Sequence, residues 1–175
     1  MITSSLYITY IESPVGILEI KADNEAVHAI LFVNAWKGPK LDTISIQKNE
    51  TENIPAQQCI AQLKEYFEGR RKDFDFPYNQ EGTGFQLKVW NELNNIPFGK
   101  TISYLELSKR IGDTKAIRAV GTTNGKNQLS IVVPCHRVIG SNGNLVGYGG
   151  DLWRKKWLLD HEAKYANGVQ TLGGW

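Results

Sequence analysis

The feature that most limits how this chain can fold is a change of hydrophobic pattern across the segment Pro77 to Gly84. Before it lie three short runs rich in β-branched and aromatic residues, Tyr7 to Ile11, Ile17 to Lys21 and Val27 to Val33. They are broken at Ser13-Pro14-Val15-Gly16 and Ala22-Asp23-Asn24-Glu25, which are turn-forming stretches. Connections this short predict an antiparallel meander. Lys37 to Ile54 is polar and lacks a period, so a loop is expected there, with room for a short strand. From Pro55 to Gly69 the positions Cys59, Ile60, Leu63, Tyr66 and Phe67 recur at helical spacing. This first half, residues 1–82, therefore reads as a small α/β domain in which Cys59 is core filling.

After Gly84 the pattern is mainly helical. Phe85 to Leu93 is amphipathic. Ser103 is expected to cap a helix ending before Gly112, and Thr114 to cap a third helix from Lys115 to about Thr123. Two short helices separated by Gly112-Asp113 have the layout of a helix-turn-helix. In the second of them Ala119 and Gly121 are small enough for close approach to another surface, while Lys115 and Arg118 add positive charge. Ile131 to Val133 reads as a buried apolar strand, Ile139 to Gly150 as a glycine-rich loop and Leu152 to about Tyr165 as a last helix. The tail from Asn167 to Trp175 is expected to be loosely ordered.

Charge divides along the same line. Residues 1–82 carry 8 Lys and Arg against 12 Asp and Glu, a net −4, and residues 83–175 carry 12 against 6, a net +6. A basic half beside an acidic one points to a polyanionic partner for the second half. A hydrophobic content of 41% in 175 residues excludes a disordered or fibrous chain. No apolar run is long enough to span a membrane and the first residues do not resemble a secretory signal, so a soluble intracellular protein is expected.

Two cysteines, Cys59 and Cys135, leave no disulfide framework. Pro134-Cys135-His136-Arg137-Val138 sets a thiol directly before an imidazole and a guanidinium, whose positive charge is expected to favour the thiolate and lower its pKa. Side chains of adjacent strand residues point to opposite faces, so His136 reaches the sulfur only through a backbone turn or an intervening water. A carboxylate is needed to hold the imidazole in one tautomer, and Asp160 and Glu162 on the last helix are both candidates by spacing.

These residues resemble the O6-alkylguanine-DNA alkyltransferase family. The resemblance runs from about Gly84 to Glu162, through FGKTISY, KAIRAVGTTN, Asn127, PCHRVIG, GYGG and WLLDHE. It implies a ribonuclease-H-like N-terminal domain over residues 1–82. Residues 83–175 would form a mostly helical DNA-binding and alkyl-acceptor domain, whose helix-turn-helix enters the minor groove while the damaged nucleotide is flipped out. It implies that Cys135 is the alkyl acceptor, His136 a water-mediated base and Glu162 the carboxylate that orients it. Asn127 would support the turn, and Tyr104 would assist nucleotide rotation and leaving-group protonation. Arg118 would fill the gap left by the flipped base, on a DNA-binding helix that also carries Lys115, Ala119, Gly121 and Thr122. Val138, through its backbone, Tyr148 and the Gly149 amide would line the base pocket. Lys115, Arg118, Lys126 and Arg137 are then expected to face phosphates.

Two departures from the family pattern stand out. Gln128-Leu129-Ser130 occupies a place that is usually proline-rich, so a less rigid loop is expected, and Gly149 replaces a bulkier or hydroxyl-bearing residue. With only Cys59 and His28 available in residues 1–82, no metal site is expected, and no cofactor. The expected reaction is irreversible single-turnover alkyl transfer from O6-alkylguanine, with O4-alkylthymine as a second candidate. The expected partner is alkylated double-stranded DNA, met by a monomer away from membranes.

Overall fold

A computed structural model describes residues 5–43, 46 and 50–166. The chain divides into two compact units, residues 1–81 with 128–132, and residues 82–127 with 133–175. The second pass of the chain through the first unit, at 128–132, is absent from a simple division after residue 82.

In the first unit β1 (Tyr7–Ser13), β2 (Gly16–Ala22) and β3 (Val27–Phe32) form the expected antiparallel meander in that order. Alternation along β2 turns Leu18, Ile20 and Ala22 to the core, where they are fully buried. Helix α1 (Ile54–Phe67) buries Cys59, Leu63 and Tyr66 on one stripe and leaves Ile60 and Phe67 only half-buried. Each fully buried aliphatic side chain of this core contributes about 2 kcal/mol. Asn53 caps α1 by accepting from the Ala56 amide, and its own amide donates to the Asp23 carbonyl. The helix start is thereby tied to the turn between β2 and β3. Among the described residues no strand occurs between Lys37 and Ile54. The expected looseness of 167–175 lies outside the described residues.

Gln128-Leu129-Ser130 is held by hydrogen bonds instead of proline rings. Ile30 donates to the Gln128 carbonyl at 2.8 Å, Ser130 donates to the Ile30 carbonyl at 3.2 Å, and the Gln80 side chain accepts from the Gln128 amide. The segment is an added rung on the free edge of β3, so absence of proline does not leave it unsupported.

The second unit is helical apart from a short parallel pair. Its elements are α2 (Gly84–Leu93), β4 (Ile102–Ser103), α3 (Tyr104–Arg110), α4 (Ile117–Gly125), β5 (Val138–Ile139) and α5 (Leu152–Ala166). Thr83 and Gln86 form a reciprocal capping box at the start of α2. Ser103 caps α3, as its position predicts, by accepting from the Glu106 amide. Gly112 takes a φ of +84°, a left-handed turn that ends the helix at low cost. The next cap is Asp113, not Thr114. Its carboxylate accepts from the Lys115 amide, and Thr114–Ala116 forms one 3₁₀ turn before α4 begins. Trp90 on α2 donates its indole N–H to the Thr123 carbonyl at 2.9 Å, which fixes α4 from beneath.

Candidate active site

Ile131 to Val133 is not a strand. Ile131 has a φ of +73°, Val132 donates to the Ser130 carbonyl and Cys135 to the Val133 carbonyl, so the chain winds in tight turns up to Pro134. Local hydrophobicity is satisfied here by burial alone, without a ladder partner. Cys135–Arg137 then forms a 3₁₀ turn, closed by the Arg137 amide on the Pro134 carbonyl and the Val138 amide on the Cys135 carbonyl. At three residues per turn, successive side chains fan out roughly 120° apart and no longer alternate. The side chains of Cys135 and His136 are therefore not forced to opposite faces.

Every residue of that site belongs to the second unit. Asn127 donates from Nδ2 to Cys135 Sγ at 3.2 Å and to the Val133 carbonyl at 2.8 Å. Asn124, which sequence reasoning missed, donates to the Cys135 carbonyl at 3.2 Å. Cys135 is only 5% exposed, and burial pushes its thiol above the ordinary value. The hydrogen bond from Asn127 and the charge of Lys155 work the other way without reversing it. The expectation of a lowered pKa from neighbouring positive charge is therefore corrected: desolvation of the thiolate outweighs the donors around it.

His136 is fully buried and its Nε2 lies 2.6 Å from Glu162 Oε2. Burial would by itself raise the Glu162 carboxyl, but His136 and Arg137 hold it well below the usual carboxylate range. An ionised carboxylate only accepts, so Nε2 carries the hydrogen and Nδ1 keeps its lone pair. Nδ1 has no hydrogen-bond partner among the described residues. Burial also depresses the imidazole pKa, more than Glu162 raises it, which favours the neutral ring. Of the two candidate carboxylates, Glu162 is the one that pairs with His136. Asp160 is exposed and pairs with Lys156.

Arg137 does not face phosphates. Its side chain is buried, Nε donates to Glu162 Oε1 at 2.7 Å, Nη2 to Oε2 at 3.2 Å and Nη1 to the Ile96 carbonyl at 2.6 Å. The Gly99 amide adds a fourth donor to the carboxylate at 3.3 Å. A buried anion needs such partners, and they commit the guanidinium to the interior.

Tyr104, at the start of α3, donates its hydroxyl to the Val146 carbonyl at 3.3 Å in the glycine-rich loop. Val138 and Tyr148 are buried and Gly149 is half-buried. The Val138 carbonyl accepts from Lys155 at 2.6 Å. Along α4, Val120, Thr123 and Asn124 face inward, while Arg118, Ala119 and Thr122 are exposed, with Lys115 exposed just ahead. Gly121 packs near Tyr104, since a Cβ there would sit 3.9 Å from the ring. Charged and small residues thus share the outer face of one helix. Among the described residues no group of three or more His, Cys, Asp or Glu is placed to hold a metal ion.

Comparison with known proteins agrees with this geometry. Residues 84–164 match the DNA binding domain of 6-O-methylguanine DNA methyltransferase, and residues 6–80 match its ribonuclease-like domain. A methylated-DNA–protein-cysteine methyltransferase of Methanosarcina acetivorans is 43% identical over 157 residues, covering 90% of this chain and 98% of the relative. A crystal structure of the Mycobacterium tuberculosis O6-methylguanine methyltransferase superposes with a TM-score of 0.77 at 35% identity, covering 96% of this chain and 99% of that one. The Mycobacterium tuberculosis protein in complex with DNA gives a TM-score of 0.77 at 36% identity, covering 90% and 93%. With both domains matched along most of its length, the chain belongs to the methylated-DNA–protein-cysteine methyltransferase family.

Proposed function

We propose that this enzyme repairs duplex DNA by moving the alkyl group of O6-alkylguanine onto Cys135 in a single turnover. The observation that carries this is the His136–Glu162 pair at the 3₁₀ turn: Glu162 meets Nε2, Nδ1 is buried without a partner among the described residues, and Cys135 is the buried residue immediately before. Nδ1 takes the Cys135 proton through a bridging water. The sulfur attacks the alkyl carbon, a C–S bond forms as the C–O bond breaks, and the electron pair leaves on guanine O6. The Tyr104 hydroxyl, already turned toward the glycine-rich loop, donates to the leaving base and limits its negative charge.

The C-terminal half, residues 83–175, carries both DNA binding and acceptor chemistry, and residues 1–82 form an acidic α/β domain. Lys115, Arg118 and Thr122 on the outer face of α4 and its preceding turn meet the phosphates of the minor groove, and Lys126 adds charge nearby. Ala119 and Gly121 allow the helix to approach closely. Arg118 enters the stack in place of the flipped nucleotide, whose base lies against Val138, Tyr148 and Gly149. The thioether formed is inert, so each intracellular monomer acts once.

Incubation with duplex DNA carrying a labelled O6-methylguanine is expected to move about one label per protein chain. Retention of the label on DNA, or full transfer by a Cys135→Ala variant, would overturn this reading. The same assay with O4-methylthymine measures whether that lesion is a second substrate.

A further inference from the structure

Asn124 carries a buried polar atom that its own fold does not satisfy. The residue lies on the inner face of α4 at 2% exposure. Its Nδ2 donates to the Cys135 carbonyl at 3.2 Å, and its side chain also hydrogen-bonds that of Tyr104. Gly121, three residues earlier on the same helix face, brings α4 against Tyr104, since a Cβ there would stand 3.9 Å from the ring. A carbonyl only accepts, so the amide is fixed with its nitrogen toward Cys135, and the oxygen is the atom left over. Oδ1 is buried and has no hydrogen-bond partner among the described residues. The nitrogen and oxygen of one amide are about 2.3 Å apart, so Oδ1 stands within roughly 5.5 Å of the Cys135 carbonyl oxygen. A buried acceptor without a donor is unfavourable and rare, which marks this atom as one that a ligand completes.

The substrate of the proposed reaction brings a donor to this place. Transfer sets the O6-alkyl carbon against Cys135 Sγ, so the base edge that carries O6 faces the acceptor turn, and extruded bases are read by that edge. In O6-alkylguanine the edge continues through N1, which carries no hydrogen, to the exocyclic 2-amino group, a donor. In O4-alkylthymine the matching positions are N3 and O2, and both only accept. Around the turn, the Asn127 amide is committed to Cys135 Sγ and the Val133 carbonyl, and the Val138 carbonyl accepts from Lys155. His136 Nδ1 takes the thiol proton in the proposed reaction. Asn124 Oδ1 is a buried acceptor that this reaction does not use. We infer that Asn124 is a specificity-determining residue, whose Oδ1 accepts a hydrogen bond from the 2-amino group of the flipped O6-alkylguanine and so favours that base over O4-alkylthymine. The inference deepens the proposed function and rests on it. Guanine supplies the donor that burial withholds from Oδ1, whereas thymine sets an acceptor against an acceptor.

The test removes the donor and the acceptor in turn. Label transfer is timed from duplexes carrying O6-methylguanine or O6-methylhypoxanthine, two bases that differ only in the 2-amino group. The parent protein is compared with Asn124→Asp, which keeps an acceptor oxygen, and with Asn124→Leu, which keeps similar volume and no polar atom. The two rates are divided within each protein, so lost support for the Cys135 carbonyl or for Tyr104 cancels from the ratio. The parent is expected to use the guanine lesion about tenfold faster than the hypoxanthine lesion, or more. With Asn124→Leu the ratio is expected to fall to near one, and with Asn124→Asp to stay close to that of the parent. A ratio that is unchanged by Asn124→Leu, that collapses equally with Asn124→Asp, or that is already near one in the parent overturns the inference, while alkyl transfer itself stands. A parent that takes no label from either duplex overturns the proposed function, and the inference with it. Circular dichroism checks that each variant is folded. Should Asn124→Leu fail to fold, Asn124→Ala is read in the same way, and a parent ratio near one still decides against the inference without any variant.

Discussion

The two cysteines of this chain are both buried, and the proposed function gives them opposite chemistry. Cys59 sits at 0% exposure on the inner stripe of α1, and burial alone acts on it, pushing its thiol far above the ordinary range. Cys135 is 5% exposed and is also pushed up by burial, but it meets the Asn127 amide and the charge of Lys155, with a histidine and carboxylate pair beside it. Burial by itself makes a thiol a small hydrophobe. Donors and a base close to it are what, in the proposed function, make Cys135 a nucleophile.

The largest test of that contrast is to exchange the roles of the two positions by deletion. Cys135→Ala is expected to abolish transfer while leaving a folded protein. Cys59→Ala is expected to leave transfer intact and lower stability by about 1 kcal/mol through the cavity it leaves in the first unit. Denaturant unfolding together with the label assay reads both. Next in size is Glu162→Gln, which removes the anion held by His136 and Arg137. Transfer is expected to fall by about a hundredfold to ten-thousandfold. Stability should drop by roughly 3 to 5 kcal/mol, because the Arg137 guanidinium is left buried without its partner. Wild-type transfer by this variant would remove the relay from the account.

Acid should expose the same site. His136 is depressed below its ordinary value of 6.5 and Glu162 below its ordinary 4.5, so the unfolded chain binds more protons than the folded one at both positions. Stability from these groups is complete above those ordinary values and is lost as pH falls through the lower folded ones. Thermal midpoints measured from pH 7 to pH 4 should fall, and fall more steeply in Glu162→Gln, which removes the carboxylate that opposes the depression of His136. The smallest effects belong to the exposed helix face. Lys115→Ala and Arg118→Ala should each reduce the salt dependence of DNA affinity by a slope of about one, with little change in stability. Arg137→Ala should instead destabilise the fold, since that side chain is internal.

Periodicity and turn chemistry made the meander, α1, α2, α3 and α5 legible, because each of those segments buries one regular face. It failed where structure is built from irregular turns. Ile131 to Val133 has the composition of a strand and adopts none, since its backbone is satisfied by neighbours in sequence. Thr114 and Asp113 are both good caps, and only the geometry of the turn after Gly112 selects the aspartate. The acceptor motif was legible in Cys135 and His136, but the choice of Glu162 over Asp160 depended on which face of α5 meets the 3₁₀ turn. Arg137 was misplaced because charge suggests solvent, and the carboxylate that internalises it lies 25 residues away. Asn124 and Lys155 gave no local signal. One is an ordinary helix residue, and the other is a lysine beside a second lysine of which only Lys156 is exposed.

The most direct measurement of the central claim is mass mapping of the protein after incubation with excess O6-methylguanine duplex DNA. The account predicts a single methyl group on the peptide that contains Cys135 and none on the peptide that contains Cys59. Methylation at Cys59, or an unmodified protein beside intact lesion, would contradict it.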